Sequence, residues 1–190
     1  MKTTKFFLIA TFCLFILCGY SQEHIAFKTV PLNGDINNFA KELVKQGFTI
    51  KETKGNVITM SGSYINRQCE VIVFASKKTN IVWKVAIYLP EETNWYSIKN
   101  DFLRLKEQFI TKYGNGKSYE FFSNPYSEGD GYEMQAVKLG KCHYTTFWET
   151  QGGTIGLSIS KYEQISVSYE DTINSALDDK EKSEVINNDI

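Results

Sequence analysis

Residues 154–169 read TIGLSISKYEQISVSY, two short runs in which every second residue is apolar. Ile155, Leu157 and Ile159 alternate with Gly156, Ser158 and Ser160, while Ile165, Val167 and Tyr169 alternate with Ser166 and Ser168. Successive strand side chains point to opposite faces, so this alternation predicts an antiparallel hairpin with one dry and one wet face. The same period extends back along the chain. It predicts strands over 49–54, 57–64, 68–75 and 81–89, and then over 118–122, 132–139 and 142–150. Lys54-Gly55-Asn56, Lys78-Thr79-Asn80, Leu139-Gly140-Lys141 and Gln151-Gly152-Gly153 supply residues suited to tight reversals between them.

Two segments break the period of two. Ile36, Phe39, Ala40, Leu43 and Val44 fall at i, i+3, i+4, i+7 and i+8, the spacing of one helix face. Asp35 is placed to accept from the free amides of the first turn, and Gly47 to take the left-handed conformation that ends a helix. Trp95, Ile98, Phe102, Leu105, Phe109 and Tyr113 repeat the pattern at greater length, with Asn94 as cap and Gly114 as stop. Lys99, Arg104, Lys106, Glu107 and Lys112 lie between the apolar positions and read as a solvated outer face.

The order is read as a helix followed by about four strands, twice. Gln68–Phe74 also lies over Lys141–Phe147, with Cys and Phe five residues apart in both segments. A helix whose apolar stripe meets a sheet buries one side of each, the minimum for a two-layer unit. The predicted class is α+β: two tandem α-β4 units, with the helices on one face of a curved antiparallel sheet of about eight strands and the other face open. Their expected spans are 22–90 and 91–170. A single mixed domain without internal symmetry is the alternative.

This order, with helices starting near Asp35 and Asn94, resembles the β-lactamase inhibitor protein fold over roughly residues 31–171. Those inhibitors close a disulfide within each repeat, whereas this chain keeps one cysteine per half. The lead-in from His24 through Pro31 to Asp35, followed by the helix and Gly47-Phe48, is similar to uncharacterised secreted proteins of gut bacteria. That resemblance implies an address and no activity.

The N-terminus, MKTTKFFLIATFCLFILCGYSQ, has two lysines, thirteen apolar or small residues from Phe6 to Cys18, and then Gly19-Tyr20-Ser21. Thirteen helical residues span about 20 Å, short of the ~30 Å hydrocarbon core, so residues 1–21 read as a secretory signal cut after Ser21. The product is exported, periplasmic or extracellular. Lipid attachment at Cys18 is the competing reading, against which Leu17 stands where a lipobox has a small residue.

Cleavage removes Lys2 and Lys5, so 21 basic residues become 19 against 22 acidic ones, a net charge of −3. Residues 171–190 hold six acids and two lysines and read as an acidic, flexible tail with one helical turn near 175–182. No basic field is left to hold nucleic acid, and Lys77-Lys78 reads as a solvated turn tip.

Candidate chemistry is sparse. Cys69 and Cys142 either bridge the two halves, as equivalent strands meeting at a pseudo-twofold would allow, or remain two buried thiols. His143 follows Cys142 directly, so the two point to opposite strand faces and make no nucleophile pair. Neither His24 nor His143 has metal-ligand spacing to other donors, and the acidic turn 127–131 has too few oxygens for a calcium loop, so no cofactor or metal is expected.

Aromatics are the compositional excess. The signal removes four of 13 Phe and one of 11 Tyr, which leaves 22 aromatic residues with the 3 Trp. Lys84 and Tyr88 share one strand face, and Tyr144 and Trp148 share another. If both are the open face, the four form an aromatic and cationic patch of the kind that binds proteins. If a bulge reverses one parity, Trp148 is core. The expected function is an extracytoplasmic, non-catalytic protein-binding module, inhibitor-like or an envelope-assembly partner. The alternatives are an envelope hydrolase working on glycan or peptide through unmarked carboxylates such as Glu120, Glu133 and Glu149, or a carrier of small ligands.

Overall fold

In the computed structural model, which describes residues 23–189, the Asp35 carboxylate accepts from the amides of Asn37 and Asn38 at 2.9 and 3.2 Å and starts helix α1 (Ile36–Lys45). Gly47, at φ +89°, turns the chain out of it. Ile36, Phe39, Ala40 and Leu43 are buried; Val44, at the margin of the stripe, is 45 % exposed. Asn94 caps α2 (Trp95–Tyr113) through Ser97 N at 3.1 Å, and Gly114 stops it at φ +81°. Ile98, Phe102, Leu105 and Phe109 face inward. Each such side chain contributes about 1.5–3 kcal/mol of burial.

The helices cover an eight-stranded antiparallel sheet. A short hairpin, β1 (Ala26–Phe27) and β2 (Val30–Pro31), precedes α1. The strands after it are β3 (Thr49–Lys54), β4 (Val57–Tyr64), β5 (Arg67–Ala75) and β6 (Val82–Tyr88). After α2 come β7 (Lys117–Phe122), α3 (Glu133–Lys138), β8 (Cys142–Glu149), β9 (Gly153–Ile159) and β10 (Ile165–Asp171), and then α4 (Thr172–Asp189). The sheet order is β3-β4-β5-β6-β10-β9-β8-β7, so the last strand of each half meets at the centre. The protein is α+β.

Register carries parity from strand to strand. Val71 lies opposite Ile87, Ile87 opposite Val167, Val167 opposite Leu157 and Leu157 opposite Thr146, one continuous dry row. Tyr88, Ser166, Ser158 and Thr145 make the adjacent row on the reverse face. The dry row is fully buried, and α2 packs on it over β8, β9 and β10. The hairpin β1–β2 plugs the same side, where Phe27 touches Phe48, Tyr64 and Tyr169 at ring separations of 5.5–6.0 Å.

Four expectations are corrected here. Residues 132–139 are not a strand: α3 occupies them, with Ala136 and Val137 buried, because a six-residue helix puts two adjacent apolar residues on one inward face. As a result β8 is the second strand after α2, and its mirror position about the β6–β10 centre is β4, so the Cys-to-Phe match pairs strands that do not correspond.

Cys69 and Cys142 are free, buried thiols on β5 and β8. Four strand spacings separate them, about 19 Å at ~4.8 Å each, against the ~7 Å limit between Cα atoms that a bridge allows.

Residues 172–189 form a helix, not a flexible tail. Its inward stripe is Asn174, Asp178 and Glu181, which are 5 %, 2 % and 5 % exposed. Asn174 Nδ2 donates to Leu32 O and Val82 O, at 2.7 and 3.1 Å. Glu181 accepts from Lys78 N and Thr79 Oγ1, both at 2.7 Å, and Lys78 Nζ lies 2.7 Å from Glu184. The lysine turn stays exposed, as expected, but is also tethered to α4, which closes the end of the sheet where β6 begins and β10 stops.

The expected signal over residues 1–21, with Cys18, lies outside the described residues. Among the described residues no helix is long and apolar enough to cross a membrane.

Candidate functional site

The four residues expected to form one patch are divided between two faces. Tyr144 and Trp148 are 4 % and 2 % exposed and belong to the core beneath α2. Trp148 packs against Phe109, tilted, at a ring separation of 5.2 Å, and its Nε1 donates to Gly114 O at 2.9 Å. Tyr144 packs edge-on to Trp95 and Phe102, and its hydroxyl donates to Glu128 at 2.9 Å. Burial raises the Tyr144 phenol well above its ordinary range.

Lys84 and Tyr88 sit half-buried on the reverse face. Lys84 Nζ lies 3.1 Å from Glu170 Oε2, so its charge is matched within the sheet. A register shift at Phe74/Ala75 accommodates Trp83 as an extra residue on β6, where Lys182 of α4 lies 5.2 Å over its ring.

The reverse face carries an aromatic group of its own at the β7–β8 edge. Tyr119, Phe121 and Phe147 are 42 %, 51 % and 42 % exposed. Phe121 stacks on His143 at 4.7 Å, and His143 Nε2 is 2.8 Å from Ser123 Oγ. Ser158, Ser166 and Ser168 lie inward of this group, half-buried, with the paired Ser158 and Ser166 hydroxyls 2.7 Å apart. The period-two pattern of β7 contained these residues, but only the inter-strand register tells which parity is outward.

Glu120, Glu133 and Glu149 do not converge. Glu120 pairs with Lys106 at 2.6 Å, Glu133 accepts from Gly129 N at 2.7 Å, and Glu149 is exposed near the far end of β8. Glu133 does share a shallow pocket with Glu128, beside Trp95 and Lys99. The Lys99 ammonium and the Tyr144 hydroxyl hold Glu128 below the usual carboxylate range, opposite to the raised value a general acid requires. In the acidic turn, Asp130 spends its oxygens on Ser127 N and Tyr132 N, at 2.8 and 2.7 Å. Among the described residues no group of three or more His, Cys, Asp and Glu could hold a metal ion.

A second concavity, of about 360 Å³, opens on the helix side, where the β1–β2 turn, the β4–β5 turn and the last turns of α2 meet. Tyr64, Tyr169 and Phe109 form its floor; Gln108, Lys112 and Tyr113 come from α2, and Lys28 and Ile65 from the turns. The Tyr64 and Tyr169 hydroxyls are 2.9 Å apart, although two strands separate β4 from β10. Burial pushes the Tyr64 phenol up to about 12 and raises Tyr169 as well.

Alkaline pH is therefore expected to unfold the protein through these phenols. An unfolded tyrosine ionises at 10.0, so above that pH the unfolded chain releases a proton the folded chain keeps. The stability held by the neutral phenol is complete below pH 10 and falls as the pH rises to about 12, by ~1.4 kcal/mol per unit for each phenol. Urea midpoints should drop across this window, and Tyr64→Phe should flatten the drop. A midpoint constant through the window contradicts it.

No protein-family model matches the chain, and neither a curated protein nor a solved structure matches it.

Proposed function

We propose that this chain is an exported, non-catalytic protein-binding module, built as two tandem α-β4 units, whose uncovered sheet face engages another envelope or extracellular protein. Tyr119, Phe121 and Phe147 carry this reading. A folded chain ordinarily turns large rings inward, and these three stand half in solvent on one edge while the opposite face is filled by α1, α2 and the N-terminal hairpin. Rings of this kind, flanked by hydroxyl-bearing residues, are the usual anchors of protein interfaces. The strand order mirrored about β6 and β10 supports the tandem arrangement and the likeness to inhibitor proteins. The scattered, internally matched carboxylates weigh against the hydrolase alternative.

The test is crosslinking of the mature protein in its own envelope fraction, with wild type beside a Phe121→Glu/Phe147→Glu variant. Two buried charges at an anchor are expected to lower capture of a reproducible partner by about tenfold or more. Equal capture by the double variant, or turnover of a glycan or peptide substrate, overturns the proposal.

A further inference from the structure

The tyrosine cleft on the helix side is separate from the sheet face invoked above, and its lining has a one-sided chemistry. Two lysines line it, Lys28 on the β1–β2 turn and Lys112 on α2, and among the described residues that line it there is no carboxylate. Among the described residues neither lysine has an acidic partner within 4.0 Å, whereas Lys45, Lys78, Lys84, Lys99, Lys106 and Lys182 each do. Lys112 instead lies over the Tyr113 ring at 4.8 Å, and Lys28 over Phe48 at 5.5 Å. The two cations are thus held at aromatic walls with their charge unmatched.

The turns that carry this rim are backbone outliers. Lys28 and Thr29 have φ of +49° and +68°, and Ile65 and Asn66 have +51° and +58°. Left-handed pairs of this sort suit two-residue hairpin turns, but a β-branched Thr or Ile there costs about 1–2 kcal/mol, where Gly or Asn would not. Both turns bring a side chain to the same cleft, Lys28 from one and Ile65 from the other. Strain of this kind concentrates where a backbone is fixed for binding.

We infer that the cleft binds a small organic anion, a carboxylate carried on a ring, with the carboxylate between Lys28 and Lys112 and the ring against Phe109, Tyr113 and Ile65. The Tyr64–Tyr169 hydroxyl pair offers one further donor at the floor. The size fits: about 360 Å³ is at the lower end of ligand pockets. Lysines engage carboxylate and phosphate alike as point charges, and it is the aromatic walls beside them that favour an anion carried on a ring. A neutral sugar would call for several acceptors for its hydroxyls, and among the described lining residues Gln108 is the only side-chain amide.

Calorimetric titration of the mature protein with benzoate, 1-naphthoate and biphenyl-4-carboxylate, each beside its neutral amide, tests this. One site is expected, with at least one acid bound about tenfold more tightly than its amide, and that preference lost in Lys28→Ala/Lys112→Ala. Both lysines are exposed, so the variant keeps its fold. Phe121→Glu/Phe147→Glu should bind the acids as wild type does, which separates this cleft from the sheet face. No heat from any of the three acids, equal affinity for acid and amide, or a preference that survives the double lysine change overturns the inference.

Discussion

Trp148→Ala is expected to destabilise the fold by about 4 kcal/mol, a large share of a small protein's stability. The indole is 2 % exposed, lies on Phe109, and donates to Gly114 O at the C-terminal end of α2. Truncation opens a cavity between sheet and helix and removes the donor to the carbonyl of Gly114, the C-cap of α2. Trp148→Phe keeps most of the ring volume and loses the hydrogen bond, so about 1–2 kcal/mol is expected. Equilibrium urea unfolding followed by circular dichroism reads both. A change within ~0.5 kcal/mol for the alanine variant would place Trp148 on the surface and contradict the face assignment.

Asp171→Ala should be comparably damaging, about 3–5 kcal/mol, although it removes only a carboxylate. Asp171 is fully buried where β10 ends and α4 starts. Oδ1 accepts from Ile173 N and Asn174 N at 3.1 and 2.9 Å and so caps α4; Oδ2 accepts from Ile25 N at 3.1 Å and lies 3.0 Å from His24 Nδ1. One side chain therefore ties the start of the described chain to the C-terminal helix. Its loss leaves buried amides without acceptors at both ends of that tie. Hydrogen exchange in Asp171→Ala should rise first across α4 and across residues 23–27. Uniform protection in those segments would show that α4 docks by other means.

What could be read from the sequence follows from where the physics is local. Asp35, Asn94, Gly47 and Gly114 act on the backbone beside them, so α1 and α2 were legible almost to the residue. The alternation in β9 and β10 was equally plain, because each strand has one dry face. Two things were not legible. Within a strand, parity sorts residues into two faces, but only the register through Ile87, Val167, Leu157 and Thr146 shows that Trp148 belongs with Val71 and Tyr88 with Thr145. The α4 helix shows no apolar period because it docks through Asn174 and Glu181, polar groups whose partners lie about a hundred residues away or more. Asp178 Oδ2, buried and without an aligned hydrogen bond, lies 2.5 Å from Lys182 Nζ and is matched by charge alone.

The tyrosine cleft escaped for a related reason. Lys28, Tyr64, Lys112 and Tyr169 come from four distant stretches of chain, and nothing in their local sequence marks them as neighbours. The non-glycine residues at positive φ on its two turns are visible only in the structure, since neither Lys28-Thr29 nor Ile65-Asn66 carries the glycine that marks a turn in sequence.

Hydroxyl-radical footprinting with residue-resolved mass spectrometry tests most directly whether helices shield one side of the sheet and leave the other to solvent. Tyr119, Phe121 and Phe147 should oxidise readily in the folded protein, while Tyr144, Trp148 and Phe102 oxidise only on unfolding. Protection of the first three in the monomer, at a level matching the second three, would contradict the account.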